Sequence, residues 1–169
     1  MMISVADFKS LVPTEVSDAV LGSKLSAIEE AVRKATNNRF IRRDVSADVI
    51  VSGNILTSAN ATLFHAGDTL DINGRLLEIV SVMDNTITVS SNPRMAGFFK
   101  AYLVEYPADI VNGAVNLMKW DLSNRDKVGV KSENISRWSV TYFDLENNSE
   151  LSFPNSLMGF LKPYKRLRV

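Results

Sequence analysis

From residue 45 to residue 104 apolar residues recur at every second position, and on either side of that window they recur at every third or fourth. No single regular element satisfies both periods, because a strand alternates its faces every two residues while a helix turns once in 3.6. The chain is therefore expected to be α+β, with a helical domain at 1–43 and 105–169 carrying an inserted β module at 45–104. Its 169 residues suit one domain plus a small insert. Such an insert is tolerated where the two ends it interrupts lie close together on the surface.

The first helical segment is punctuated by caps and breakers. Ser4, with Asp7 three residues on, resembles a capping box that opens a short helix ending before Pro13. Thr14 is expected to cap a second short helix stopped by Gly22, and Ser23 to open a third. In the third, Leu25, Ile28, Val32 and Ala35 share a face, with Glu29, Glu30, Arg33 and Lys34 opposite. Glu30 and Lys34 are spaced for an ion pair, and Asn37-Asn38 favours a left-handed stop. Beyond the window, Pro107 suits the first turn of the longest helix. There Ile110, Val111, Ala114, Val115, Leu117, Met118 and Leu122 form a broad apolar face to about Asn124.

Inside the window three turn pairs, Gly53-Asn54, Asn73-Gly74 and Asp84-Asn85, divide short apolar runs. Asn73-Gly74 lies between "TLDI" and "RLLEIVSV" and is the strongest hairpin signal in the chain. Ile87 and Val89 fall on one face, with Thr86, Thr88 and Ser90 on the other, and Phe99, Ala101 and Leu103 alternate in a last strand. Five or six such strands are expected to close into a small barrel or sandwich that hides its edges.

Chemistry is sparse. Nineteen basic residues balance nineteen acidic ones, so no overall field draws the chain to nucleic acid or anionic lipid. Without cysteine there are neither disulfides nor thiolate metal sites. "MMISVADFKS" lacks the layout of a signal peptide, and no apolar run reaches membrane-spanning length. A soluble protein made inside the cell is the expectation, and the sequons at Asn60, Asn134 and Asn147 then carry no glycan. His65 is the sole histidine and has no ligand partners at metal-site spacing, so it reads as structural or surface. "DTLDING" imitates a calcium loop at Asp71, Asn73 and Gly74. It fails at the first and last positions, where Thr69 and Val80 stand in place of acids. Nucleotide-binding and hydrolase motifs are absent too. No catalytic residue, metal or cofactor is expected.

Two features remain. The end of the chain, "FLKPYKRLRV", carries Lys162, Lys165, Arg166 and Arg168 without an acid, interleaved with Phe160, Leu161, Tyr164 and Leu167. Cations sit well at a helix C-terminus, but apolar and aromatic anchors among them favour docking on a protein. The second is "GVKSENISRWSVTY" at 129–142, a glycine turn leading to a short strand on which Trp138, Val140 and Tyr142 share a face opposite Arg137, Ser139 and Thr141. A strand among helices leaves its backbone groups unsatisfied, so it is expected to pair with the β module or with another subunit.

The ordered set "ISVADFKSLVP…LGSKLSAIEEAVRKATNNRF", "YPADIVNGAVNLMKWDLSNRD", "GVKSENISRWSVTY" and "FPNSLMGFLKPYKRLR" resembles the tailed-phage head–tail connector (adaptor) proteins. The likeness covers roughly 3–43 and 105–168; the β module departs from it, since simpler members join these helices by a short linker. The resemblance implies a helical core, a final proline-led helix with a basic end, and a homo-oligomeric ring. That ring would be seated on the portal protein and extend the DNA channel toward a downstream stopper or tail-completion protein. It implies a structural virion protein at the head–tail junction, made in the host cytoplasm, which passes DNA without reading its sequence and meets no membrane. Phe160, Leu161, Tyr164, Lys165, Arg166 and Arg168 would face the portal, and Ser132, Ile135, Arg137, Trp138 and Tyr142 would lie between subunits. The competing expectations are a tail-completion or stopper protein of the same virion, and a small enzyme using the β module as its binding domain.

Overall fold

The structure is a computed structural model that describes residues 2–124, 132–135, 138–141, 149–150 and 153–167. It is α+β, and its chain divides into two compact units, one of Arg39–Tyr106 and one of 2–38 with the residues from 107 onward.

The first unit is a closed antiparallel barrel of β1 (Ile41–Ser52), β2 (Ile55–Thr57), β3 (Thr69–Ile72), β4 (Arg75–Met83), β5 (Thr86–Val89) and β6 (Gly97–Val104). The order around it is β1-β2-β5-β4-β3-β6, with β6 returning to β1. Gly53-Asn54, Asn73-Gly74 and Asp84-Asn85 each turn a two-residue hairpin, with Gly53, Asn73, Gly74 and Asp84 at positive φ, the conformation these loops require. Val49, Val51, Leu56, Leu70, Ile72, Leu77, Ile79, Ile87, Val89 and Ala101 fill the interior, with Phe99 and Leu103 packed against them. The alternation expected for Ile87/Val89 and for Phe99/Ala101/Leu103 is therefore present. The short helical turn Ala61–Leu63 adds Ala61 and Phe64 to the same core.

The chain enters and leaves this barrel side by side. Ile41 pairs with Val104, the Glu105 amide donates to the Phe40 carbonyl at 3.0 Å, and the Phe40 and Tyr106 rings lie 4.9 Å apart. Phe40 makes this junction with φ of 52°, a costly conformation for an aromatic residue, sustained only where the surroundings determine it. Arg42 bridges Asp44 and Glu105 across the junction. These hydrogen bonds hold its guanidinium well above its ordinary pKa and the Asp44 carboxyl below its own.

The second unit holds α1 (Val5–Leu11), α2 (Asp18–Thr36) and α3 (Ala108–Asn124). Ser4 caps α1 reciprocally: its hydroxyl accepts from the Asp7 amide at 3.0 Å and donates to the Asp7 carboxylate at 2.6 Å. The expectation of a second short helix stopped by Gly22 and a third opened at Ser23 is corrected. One helix runs from Asp18 through Gly22 to Thr36, and the Thr14 hydroxyl instead accepts from the Val16 amide in a local turn. A glycine inside a helix costs roughly 1 kcal/mol, and burial of Leu21 and Leu25 on either side of it outweighs that. The buried stripe is Leu21, Leu25, Ile28, Val32 and Thr36, joined by Glu29, which had been assigned to the opposite face. Asn37 ends α2 in the left-handed region, and Lys34 pairs with Glu30 at 2.6 Å. On α3 the buried residues are Ile110, Gly113, Ala114, Val115, Leu117, Met118 and Asp121. Asp121 is held there by an ion pair with Lys24 of α2.

Candidate functional site

The final segment was expected to be a proline-led helix. It is instead a short strand, β10 (Phe153–Pro154), paired with β9 (Ser149–Glu150), followed by 3₁₀ turns at Asn155–Leu157 and Gly159–Tyr164. Gly159 and Pro163 explain the difference, since one disfavours a continuous helix and the other removes an amide donor. The bonds that form are the tight i→i−3 kind, Leu161 to Met158 at 3.1 Å and Lys165 to Lys162 at 3.4 Å.

This segment is fastened to both long helices of its unit. Phe153 meets Trp120 edge-on at 5.6 Å. Phe160 lies over Gly113, where a Cβ would stand 2.4 Å from its ring; only glycine leaves room for that ring on α3. Met158 and Leu161 are buried. The Tyr164 hydroxyl donates to the Asp109 carboxylate, with its oxygens at 2.8 and 2.9 Å, and this bond raises the pKa of the phenol.

The last described residues then run past the end of α2. The Arg166 amide donates to the Thr36 carbonyl at 2.7 Å. The Asn37 side-chain amide donates to the Leu167 carbonyl at 3.0 Å, and that of Asn38 to the Tyr164 carbonyl at 3.3 Å. A helix C-terminus leaves carbonyls unsatisfied and carries partial negative charge; here the basic tail supplies a donor and positive side chains to it. Lys162, Lys165 and Arg166 are exposed and Leu167 is 91% exposed.

The residues expected to face a partner thus separate. Leu161 is fully buried and Phe160 is packed over Gly113, so these two hold the segment in place. Tyr164 is half-buried, while Lys165 and Arg166 project outward from a backbone fixed by main-chain bonds. Leu167, read at first only as an interleaved apolar residue, is the most exposed large hydrophobic residue described. Arg168 lies outside the described residues.

The strand at 138–141 is also corrected. Among the described residues it pairs with those just before it. β8 (Trp138–Thr141) is antiparallel to β7 (Ser132–Ile135), with Ile135 opposite Trp138 and Ser132 opposite Thr141. The polar stretch "SENI" lacks strand composition, so the sequence concealed the local partner; two residues between the strands were the available signal. The hairpin therefore brings Ser132, Ile135 and Trp138 onto one ladder. Arg137 and Tyr142 lie outside the described residues.

The calcium-like motif has another use. Asp71, fully buried on β3, accepts from the Arg39 guanidinium at Nε (3.0 Å) and Nη2, and from the Gly74 amide at 2.9 Å. It therefore shapes the Asn73-Gly74 hairpin and ties it to the first residue of the unit. The hydrogen bond to Asp71 raises the Arg39 pKa. His65 is exposed, its amide donating to Asp68 at 2.7 Å. Among the described residues no three His, Asp or Glu side chains converge on a metal position, and no buried side-chain polar atom lacks a partner. No described helix is long and apolar enough to cross a membrane.

What this architecture defines is an α+β protein with a closed barrel, a helical unit and, among the described residues, an exposed basic tail segment. Neither family models nor curated proteins compared with the chain match it.

Proposed function

We propose that this protein is a structural component of a tailed-phage virion, a head–tail connector (adaptor) whose copies form a ring on the portal and extend the DNA channel toward the tail. The observation that carries the reading is the closure of the residues on both sides of the barrel into one helical unit. In it α1, α2, α3 and the final segment follow the order of the connector-like motifs. The barrel, entered at Phe40 and left at Glu105 through paired backbone, is an insertion in that order.

On this reading the protein performs no chemistry; its work is geometric. Lys165, Arg166 and Leu167, presented on a backbone bonded to the end of α2, meet the portal, with Arg168 beyond them. The hairpin at 132–141 serves contacts between neighbours, which in a ring are head-to-tail and close only at one rotation. A zero net charge suits a wall past which DNA must slide. Negative-stain images of the purified protein with and without its portal test this, with rings expected alone or on mixing. A monomer indifferent to purified portal would sink it.

The closed barrel favours a second reading, a stopper or tail-completion protein of the same virion, because small β barrels are common there. That protein would bind below the connector ring and not to the portal itself. Charge reversal at Lys165 and Arg166 separates the two. It weakens portal binding if the tail docks there and leaves binding to the ring unchanged.

A further inference from the structure

We propose that the outer face of β1 and β6 is a self-association surface that pairs the barrels of two copies of this chain about a two-fold axis. Val49, Val51 and Ala101 fill the barrel, so the alternate residues Asp48, Ile50, Phe98 and Lys100 point outward. Phe98 is 82% exposed and Ile50 44%, and they are direct cross-strand partners, as are Asp48 and Lys100 one outward step along. Ile55, also exposed, continues the apolar ground on β2. Neither β2 nor β5 contains a charged residue. An exposed aromatic and aliphatic pair, continued by uncharged strands on one side and flanked by Asp48 and Lys100, has the apolar centre and polar rim of an interface.

The register selects the occupant. Consider a two-fold axis parallel to the strands, above the face and midway between β1 and β6. It lays β1 of one copy over β6 of the other at the same height. Ile50 then covers Phe98 twice, and Asp48 faces Lys100 twice, giving four charges of alternating sign. A two-fold contact requires one patch to hold both members of each complementary pair, and this patch does. The contact closes on itself, so it joins subunits in pairs and cannot extend a ring; it stands independently of the function proposed above. An aromatic ring buries about 150–250 Å², a fraction of the ~800 Å² per partner of a standard interface. The pairing is therefore weak, formed at high local concentration.

Sedimentation of the full chain over a wide concentration range tests the proposal. The wild type gains mass with concentration, and Phe98→Asp weakens the association at least about tenfold, equivalent to 1.4 kcal/mol. Asp48→Lys and Lys100→Asp each weaken it, and the two combined restore it, with melting temperature followed to show that the fold is intact. The chain has no cysteine, so Asp48→Cys and Lys100→Cys each carry a single thiol. With a short bis-maleimide cross-linker, which adds one thiol at each end, a mixture of the two gives mostly 48-to-100 products. Association unmoved by Phe98→Asp, a combined exchange that fails to restore it, or cross-linking without preference would overturn the proposal. So would a wild type that never associates.

Discussion

The barrel and the helical unit reach closure by opposite routes. The barrel is continuous in sequence, Arg39–Tyr106, and three of its strand pairings are two-residue hairpins; the other three, β2 with β5, β3 with β6 and β1 with β6, join strands farther apart within that same stretch. The helical unit is built from the two ends of the chain, and α2 meets α3 only after the barrel has been traversed. Its last turns are then fixed by Phe160 on α3 and by Arg166 at the end of α2. One unit closes within a single stretch of sequence, the other only when the two ends of the chain meet. Damage to the second is thus expected to leave the first standing.

The strongest way to break that contrast is Leu161→Ala. Emptying a fully buried leucine site costs about 2–5 kcal/mol, and denaturation followed at Trp120 is expected to report the whole loss while amide exchange of barrel residues stays unchanged. Equal loss in both units would show that the barrel leans on its host. Next is Arg39→Ala, which strands the buried Asp71 carboxylate. Loss of a partner from a fully buried pair costs 3–5 kcal/mol; with the Arg39 side chain 46% exposed, water offsets part of it and about 2 kcal/mol is expected. Amide exchange at the Asn73-Gly74 turn checks it, and should rise there first.

A smaller effect is expected from Gly113→Ala. The new methyl must displace the Phe160 ring, whose far edge can swing away, so roughly 1 kcal/mol is lost, at the low end for overpacking. The Trp120 signal reads it, and Phe160→Leu in the same chain should recover part of it. Smallest is Tyr164→Phe. Because the folded phenol has a raised pKa, its hydrogen bond to Asp109 contributes fully below the ordinary tyrosine value and is lost as pH rises through the folded one. Melting temperature against pH should therefore fall less steeply on the alkaline side in the variant than in the wild type.

Much of this was legible because it is local. Ser4 and Asp7 are three residues apart, Asn73 and Gly74 adjacent, and the alternation around Ile87 and Val89 needs only the next strand to become an interior. Gly22 misled because a breaker acts by local propensity, worth about 1 kcal/mol, which buried leucines on both sides exceed. Glu29 misled in the same way, its face set by what α2 packs against. "RWSVTY" was recognised as a strand, but its partner was sought far away because Ser132–Ile135 lacks apolar character.

Sequence alone determined the two periods, the hairpin turns and the Ser4 and Asn37 helix ends of this protein, since each depends on residues within a few positions of one another. Only the tertiary structure decided which carboxylate Arg39 neutralises, why residue 113 must be glycine, and that the basic tail closes α2. The physical reason is that burial and pairing are properties of places. Asp71, Gly113 and Thr36 acquire their roles from residues 32, 47 and 130 positions away, brought there by the fold.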